Sequence, residues 1–118
     1  MSRIMAAAAL VALTASCGGE EKAATEGCGP GGGDAKAVCM KDIKYLPARV
    51  TVPAGATVVW TNADPVPHTV TKESGPGPEF DSQTVTAGQT YEQRFPVAGT
   101  IEYVCTIHPS QRGTVVVE

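Results

Sequence analysis

Residues 103–113 read Y-V-C-T-I-H-P-S-Q-R-G and place a cysteine, a histidine and a glutamine within a span of seven residues. A thiolate sulfur, an imidazole nitrogen and an amide oxygen are ligand types that suit a copper electron-transfer site. The chain has only one other histidine, His68, in the segment N-A-D-P-V-P-H-T-V. His68, Cys105 and His108 therefore form a candidate trigonal metal site, and Gln111 is its candidate weak axial donor.

The residues from 38 onward have the texture of an all-β domain. Short runs of β-branched residues are broken by Pro, Gly, Asn and Asp, and no segment carries a sustained helical period. This pattern predicts a β-sandwich or a barrel. Ile101, Tyr103 and Cys105 alternate at period two, so Cys105 ends a row that faces the core. We predict about eight strands, at 38–45, 48–52, 56–62, 68–72, 83–86, 90–96, 100–105 and 113–118.

The first of these strands, 38–45, changes phase along its length. Val38 and Met40 would face one side of the sheet, whereas Ile43 and Tyr45 would face the other. We therefore predict a bulge or a bend in the middle of this strand.

Three stretches of the chain carry a family resemblance. They read K-D-I-K-Y-x-P-A-x-V-T-V-P-A-G-A-T-V-V-W-T-N-A-D, P-H-T-V-T and G-T-I-E-Y-V-C-T-I-H-P-x-x-R-G-T-V-V-V-E. They resemble the cupredoxins, or small blue copper proteins, most closely the plastocyanin and amicyanin type. The resemblance implies a Greek-key β-sandwich that holds one copper ion, cycling between Cu(II) and Cu(I). It also implies that the edge of His108 reaches solvent as the electron port.

The surroundings of the site are also implied by the resemblance. Thr69 would supply a backbone amide to the thiolate sulfur, and Asn62 would support the site from the preceding strand. Gln111 departs from the family, which usually has methionine at this position. In one alternative Gln111 points to solvent, and the copper has three ligands with only the Pro67 carbonyl nearby. In another, three strong ligands and an amide oxygen hold zinc tetrahedrally.

The beginning of the chain has the features of an export signal. Residues 1–16 combine a positive start, an apolar run and small residues before a cysteine, which predicts a secretory signal peptide. The sequence L-T-A-S-C resembles a bacterial lipobox and implies that Cys17 carries a lipid; ordinary signal cleavage, or an incidental cysteine, is the alternative. Residues 17–37 are rich in glycine and contain no large apolar side chain, which predicts a flexible tether before the domain at 38–118.

The remaining cysteines suggest a disulfide. An exported domain of this size commonly uses one. With Cys17 and Cys105 assigned to other roles, Cys28 and Cys39 are the pair that is left. Cys39 is out of phase with its neighbours in the predicted first strand and should point away from the core.

Composition and ligand count restrict the function. The net charge of -3 and the lack of a basic cluster argue against nucleic-acid binding. Two histidines are too few for the second copper centre of copper oxidases and nitrite reductases, so we predict no enzymatic activity. The sequence predicts a monomeric electron carrier, anchored by lipid in the periplasm or at the cell surface, that serves membrane-bound or periplasmic redox proteins. The alternatives are a copper-buffering or copper-delivery lipoprotein, although no methionine- or histidine-rich tract exists, and a metal-free adhesive domain.

Overall fold

Two four-stranded sheets make up the fold, in a computed structural model that describes residues 35–118. The predicted signal peptide at 1–16, most of the predicted tether, and Cys17 and Cys28 lie outside the described residues. The strands are β1 (Lys36–Met40), β2 (Tyr45–Leu46), β3 (Arg49–Val52), β4 (Ala56–Asn62), β5 (Thr71–Ser74), β6 (Thr90–Phe95), β7 (Gly99–Val104) and β8 (Arg112–Val117).

The order of the strands confirms the predicted Greek-key sandwich. One sheet has the order β2-β1-β4-β6 and the other β3-β8-β7-β5. The pairs β1–β4 and β3–β8 are parallel, and the other pairs are antiparallel. Only β1–β2 and β7–β8 are neighbours both in the chain and in a sheet, so the other connections cross from sheet to sheet or pass over a strand.

The core lies between the sheets and is centred on Trp60 of β4. Its side chain is fully buried, and its ring centroid lies 5.3 Å from that of Tyr103 and 5.9 Å from that of Tyr91. Ile101 and Tyr103 of β7 are buried on the same row as Cys105, as their alternation predicted. The apolar packing therefore continues along β7 up to the sulfur of Cys105.

The prediction of a single bulged strand at 38–45 is wrong. The chain reverses at residues 41–44, where Lys41 and Lys44 exchange backbone hydrogen bonds of 3.0 and 3.1 Å. The two central residues of this hairpin turn, Asp42 and Ile43, both have φ of 56°. Positive φ at both positions is the geometry of a type I′ turn, which matches the twist of paired strands. The apolar phase changes because the strand direction reverses.

The strand predicted at 68–72 begins later in the structure, with β5 at Thr71. The amides before it are already used elsewhere: His68 N–H donates to Val85 O at 3.1 Å, and Val70 N–H donates to Ser82 Oγ at 2.8 Å. His68 and Val85 form an isolated bridge, and the strand predicted at 83–86 is reduced to this contact. The other predicted strands lie within two residues of the observed bounds.

Cys39 is buried, and it is disulfide-bonded. As its phase predicted, it lies outside the core cluster that contains its neighbours Val38 and Met40, although its side chain is fully buried. Cys28, its predicted partner, is outside the described residues, and Cys105 is the free cysteine of the described part. Within residues 35–118 the structure contains no helix long and apolar enough to span a membrane.

Candidate metal centre

Three potential metal ligands converge at one end of the sandwich. His68 lies between β4 and β5, Cys105 directly follows β7, and His108 lies in the turn before β8. Their ligand atoms all lie within 4.8 Å of one another. Cys105 Sγ is 3.8 Å from His68 Nδ1 and 3.7 Å from His108 Nδ1. The structure thus brings together the three residues selected from the sequence, and it turns the same ring nitrogen of both histidines toward the sulfur.

The three side chains differ in their access to solvent. His68 and Cys105 are fully buried, whereas His108 is only partly buried. Ile107, beside His108, is 44% exposed. Solvent or another protein can therefore approach this cluster most closely at the His108 ring.

Residues 105–111 form a turn that sets the spacing of two of these side chains. His108 N–H donates to Cys105 O at 3.2 Å, and Gln111 N–H donates to His108 O at 2.8 Å. Cys105 N–H donates back to Gln111 O at 3.0 Å, which closes the turn. Backbone hydrogen bonds therefore hold the Cys105 and His108 positions together without a metal ion.

Thr69 links the segment of His68 to that of Cys105. Its backbone N–H donates to Cys105 Sγ at 3.3 Å. Its hydroxyl oxygen accepts the N–H of Thr106 at 2.9 Å and lies 3.1 Å from the Thr106 hydroxyl. The thiolate is the form of cysteine that binds a metal, and this N–H is placed to donate to its sulfur.

Asn62 shapes the loop that leads to His68. Its side-chain Nδ2 donates to Val66 O at 2.8 Å and to Val85 O at 2.9 Å, and its Oδ1 accepts the N–H of Asp64 at 2.8 Å. Asn62 thus stabilises the conformation of the loop that leads to His68. Pro67, on the surface, directly precedes His68.

The sequence analysis missed Asp64, which contacts the buried histidine. Its Oδ2 lies 2.7 Å from His68 Nε2. The same carboxylate accepts the N–H groups of Asp42 at 2.7 Å and Ile43 at 3.0 Å. Burial alone would raise the pKa of Asp64, but the hydrogen bonds from Ile43, His68 and Asp42 together hold this pKa below its usual value. The sequence carried one signal for this contact, because a carboxylate lies four residues before the candidate histidine ligand.

The ionised carboxylate determines the tautomer of His68. A carboxylate offers only acceptors, so in the neutral ring, which is the form that binds a metal, Nε2 carries the hydrogen and Nδ1 keeps its lone pair. Nδ1 is the nitrogen that faces Cys105 Sγ. His68 is therefore oriented with its metal-binding atom toward the cluster.

Gln111 is buried, and only 2% of its surface is exposed. Neither atom of its side-chain amide has a hydrogen-bond partner among the described residues. This burial excludes the alternative in which Gln111 points to solvent. A buried amide without a partner costs roughly 1–3 kcal/mol, so Gln111 carries an oxygen donor that the described residues leave unused. A thiolate, two imidazoles and such a donor fit copper.

Comparison with known proteins identifies the family of this chain. The sequence model of the copper-binding proteins of the plastocyanin/azurin family matches residues 34–118. The chain belongs to this family. It is 41% identical to amicyanin-alpha from Methylorubrum extorquens over 83 residues, which are 69% of this chain and 70% of that protein. It is also 41% identical to amicyanin from Paracoccus versutus over 87 residues, which are 72% of this chain and 66% of that protein.

Solved structures agree with the family assignment. The crystal structure of Paracoccus versutus amicyanin superposes with a TM-score of 0.66 at 40% identity and covers 72% of this chain and 82% of its own. A purple cupredoxin from Nitrosopumilus maritimus gives a TM-score of 0.64 at 29% identity, covering 70% of this chain and 99% of its own. This cupredoxin is accordingly a blue copper electron-transfer protein with one copper ion per chain.

Proposed function

We propose that His68 Nδ1, Cys105 Sγ and His108 Nδ1 hold the copper ion, with Gln111 as the axial donor. The convergence of the three ligand atoms within 4.8 Å carries this proposal. The orphaned amide of Gln111 supports the fourth position, because a metal ion would satisfy its oxygen. Bound copper supplies a one-electron couple between Cu(II) and Cu(I).

Hydrogen bonds within the chain hold the side chains of the proposed site in place. The closed turn fixes Cys105 and His108, the Thr69 amide holds the sulfur, and Asp64 orients His68. Electron transfer is fast when ligands hardly move between oxidation states, and preorganised ligands move little. The hydrogen-bond pattern around the cluster therefore suits a carrier of single electrons.

The partner surface follows from the burial of the ligands. Since His68 and Cys105 are fully buried, the partly exposed ring of His108 offers the shortest route for an electron to leave the protein. We propose that redox proteins, either membrane-bound or periplasmic, dock at this end of the sandwich. The protein would do so as a monomer.

We favour a carrier over an enzyme or a copper-delivery protein. The whole chain has two histidines, and both belong to this cluster. Residues for a second copper centre with several more histidines are therefore not in the sequence. A delivery protein would need an open, labile site, whereas two of the three ligands here are fully buried.

We also propose that the protein works outside the cytoplasm. The disulfide-bonded state of Cys39 supports this, because disulfides persist in oxidising compartments. Residues 1–16 would be the signal peptide, Cys17 the lipid-bearing first residue and 17–37 the tether, with Cys28 bonded to Cys39. Mass spectrometry of membrane-extracted protein tests the lipid and the disulfide pairing together.

The visible spectrum of the copper-loaded, oxidised protein tests the proposed function. A thiolate-to-copper charge-transfer band should be present in the oxidised state and disappear on reduction. Cys105→Ser should abolish the band, because an alcohol cannot supply this charge transfer. Glu92→Gln, a change at an exposed position on β6, is the control and should keep it. A colourless oxidised wild type with copper bound would contradict the proposal.

A further inference from the structure

We propose that Asp64 is a positioning residue of the copper site, which fixes His68 and connects it to the turn between β1 and β2. This inference rests on the proposed function, because it takes His68 Nδ1 as a ligand. It adds a residue that lies outside the ligand set and a surface turn that lies outside the site. The evidence is a continuous set of three hydrogen bonds on one carboxylate.

The first part of the argument is the contact with the histidine. The His68 ring is fully buried and Asp64 is 6% exposed, with 2.7 Å between Nε2 and Oδ2. A ring flip would break this bond and turn a carbon atom toward the carboxylate. The contact therefore fixes both the tautomer and the rotation of the ring, as carboxylates do for histidine ligands in other metal sites.

The second part is the attachment of Asp64 to the turn. Oδ1 accepts the N–H of Asp42, and Oδ2 accepts the N–H of Ile43 as well as that of His68. Both turn residues have positive φ, which is uncommon for a β-branched residue such as Ile43. The carboxylate thus stabilises a turn whose sequence does not favour this backbone conformation. In return, the amides of the turn hold the carboxylate in place.

The third part is the charge. Asp64 places a buried negative charge behind the imidazole, on the side away from the sulfur. The charge makes Nδ1 a stronger donor and stabilises Cu(II), the more positive state, relative to Cu(I). Asp64 should therefore lower the reduction potential of the site.

The charge has a reciprocal effect on the turn. A metal ion on Nδ1 makes the Nε2 hydrogen more positive, which strengthens its bond to Asp64. The carboxylate then leaves its position less often, and the hydrogen bonds that it accepts from the two turn amides break less often. Metal binding should therefore slow amide exchange at Asp42 and Ile43, which do not contact the metal themselves.

Asp64→Asn, with Glu92→Gln as the control, tests the effect on the metal. Both variants remove one negative charge, but Glu92 is exposed on β6 and is not a member of the cluster. Asp64→Asn should lower the affinity for Cu(II), measured against a competing chelator, about tenfold relative to that for Cu(I). By the one-electron relation this equals a rise in potential of about 59 mV. Equal potentials for wild type and Asp64→Asn, or equal shifts in both variants, would overturn the proposal.

Two measurements on the wild type keep the test decisive if Asp64→Asn does not fold. Nitrogen chemical shifts of the metal-free protein should show His68 protonated at Nε2 and unprotonated at Nδ1. Amide exchange at Asp42 and Ile43 should slow severalfold when copper binds. The opposite tautomer, or exchange rates unchanged by copper, would refute the inference, whereas a wild type without a charge-transfer band would instead refute the proposed function.

Discussion

The backbone N–H of Thr69 donates to the sulfur of Cys105 at 3.3 Å, although the two residues are 36 positions apart in the chain. The hydroxyl oxygen of Thr69 also accepts a hydrogen bond from the N–H of Thr106, the residue after Cys105. The segment of His68 and the segment of Cys105 are therefore joined through both the backbone N–H and the hydroxyl of Thr69. The backbone of Thr69 contacts the sulfur, whereas its side chain contacts the neighbouring loop. A change of the side chain therefore tests the second contact without removing the first.

Thr69→Ala should lower stability without changing the spectrum. The variant keeps the N–H that contacts Cys105 Sγ, but it removes the acceptor of the Thr106 N–H, which lies in a partly buried hydrogen bond. We expect a loss of about 0.5–1.5 kcal/mol in the free energy of unfolding of the metal-free protein, measured with denaturant. The position and intensity of the charge-transfer band should stay as in the wild type.

Thr69→Ser is the matched control for this prediction. Serine retains the hydroxyl, so its stability should be close to that of the wild type. If Thr69→Ser loses as much stability as Thr69→Ala, the methyl group of Thr69 is responsible and the hydroxyl bond contributes little.

Ile43→Gly should stabilise the protein. Ile43 has φ of 56°, which costs an ordinary L residue roughly 1–2 kcal/mol, and 42% of its surface is exposed. Glycine adopts this conformation without strain, and Asp-Gly is a preferred pair in type I′ turns. After the entropy cost of glycine in the unfolded chain, we expect a net gain of about 0.5–1 kcal/mol in thermal or denaturant unfolding.

Val97→Gly provides the comparison for the turn variant. Val97 is 43% exposed, but it is not among the residues with positive φ. Glycine should therefore destabilise the protein at position 97 while stabilising it at 43. A loss of stability at both positions would show that the Ile43 side chain contributes packing that outweighs its backbone strain.

The convergence of His68, Cys105 and His108 could be predicted from the sequence because most of its signals are local. Cys105, His108 and Gln111 lie within one short turn, and Cys105 continues the alternating row of β7. His68 was the only other histidine, so no competing choice existed. Residue types and short spacings were sufficient to select the three residues that converge, His68, Cys105 and His108.

Asp64 and the hairpin at 41–44 could not be predicted in the same way. The contacts of Asp64 with Asp42 and Ile43 bridge 22 and 21 positions and depend on the fold. The hairpin turn has the sequence K-D-I-K, which lacks the glycine or asparagine that usually marks a type I′ turn. The tertiary bonds to Asp64 supply the stabilisation that the local sequence does not.

We expect Gln111 to lower both the stability of the metal-free protein and the reduction potential of the copper-loaded protein. Its buried amide has no partner among the described residues, so Gln111→Leu should stabilise the metal-free protein by about 1–3 kcal/mol. An amide oxygen prefers Cu(II) more than a thioether does. If that preference is about 3 kcal/mol, the relation of about 59 mV per 1.4 kcal/mol predicts a potential about 130 mV higher in Gln111→Met. Gln111→Leu should raise the reduction potential further, because leucine offers no donor to the copper.

The two measurements together distinguish an axial ligand from a buried residue that only fills space. Unfolding of the metal-free variants reports the cost of the unpaired amide, and voltammetry of the copper-loaded variants reports its contact with the metal. We expect the wild type to have the lowest potential of the three and a greener spectrum than Gln111→Met, because a stronger axial bond weakens the bond between copper and Cys105. Equal potentials in all three proteins, with Gln111→Leu still more stable, would mean that Gln111 is not a ligand and that the copper has three.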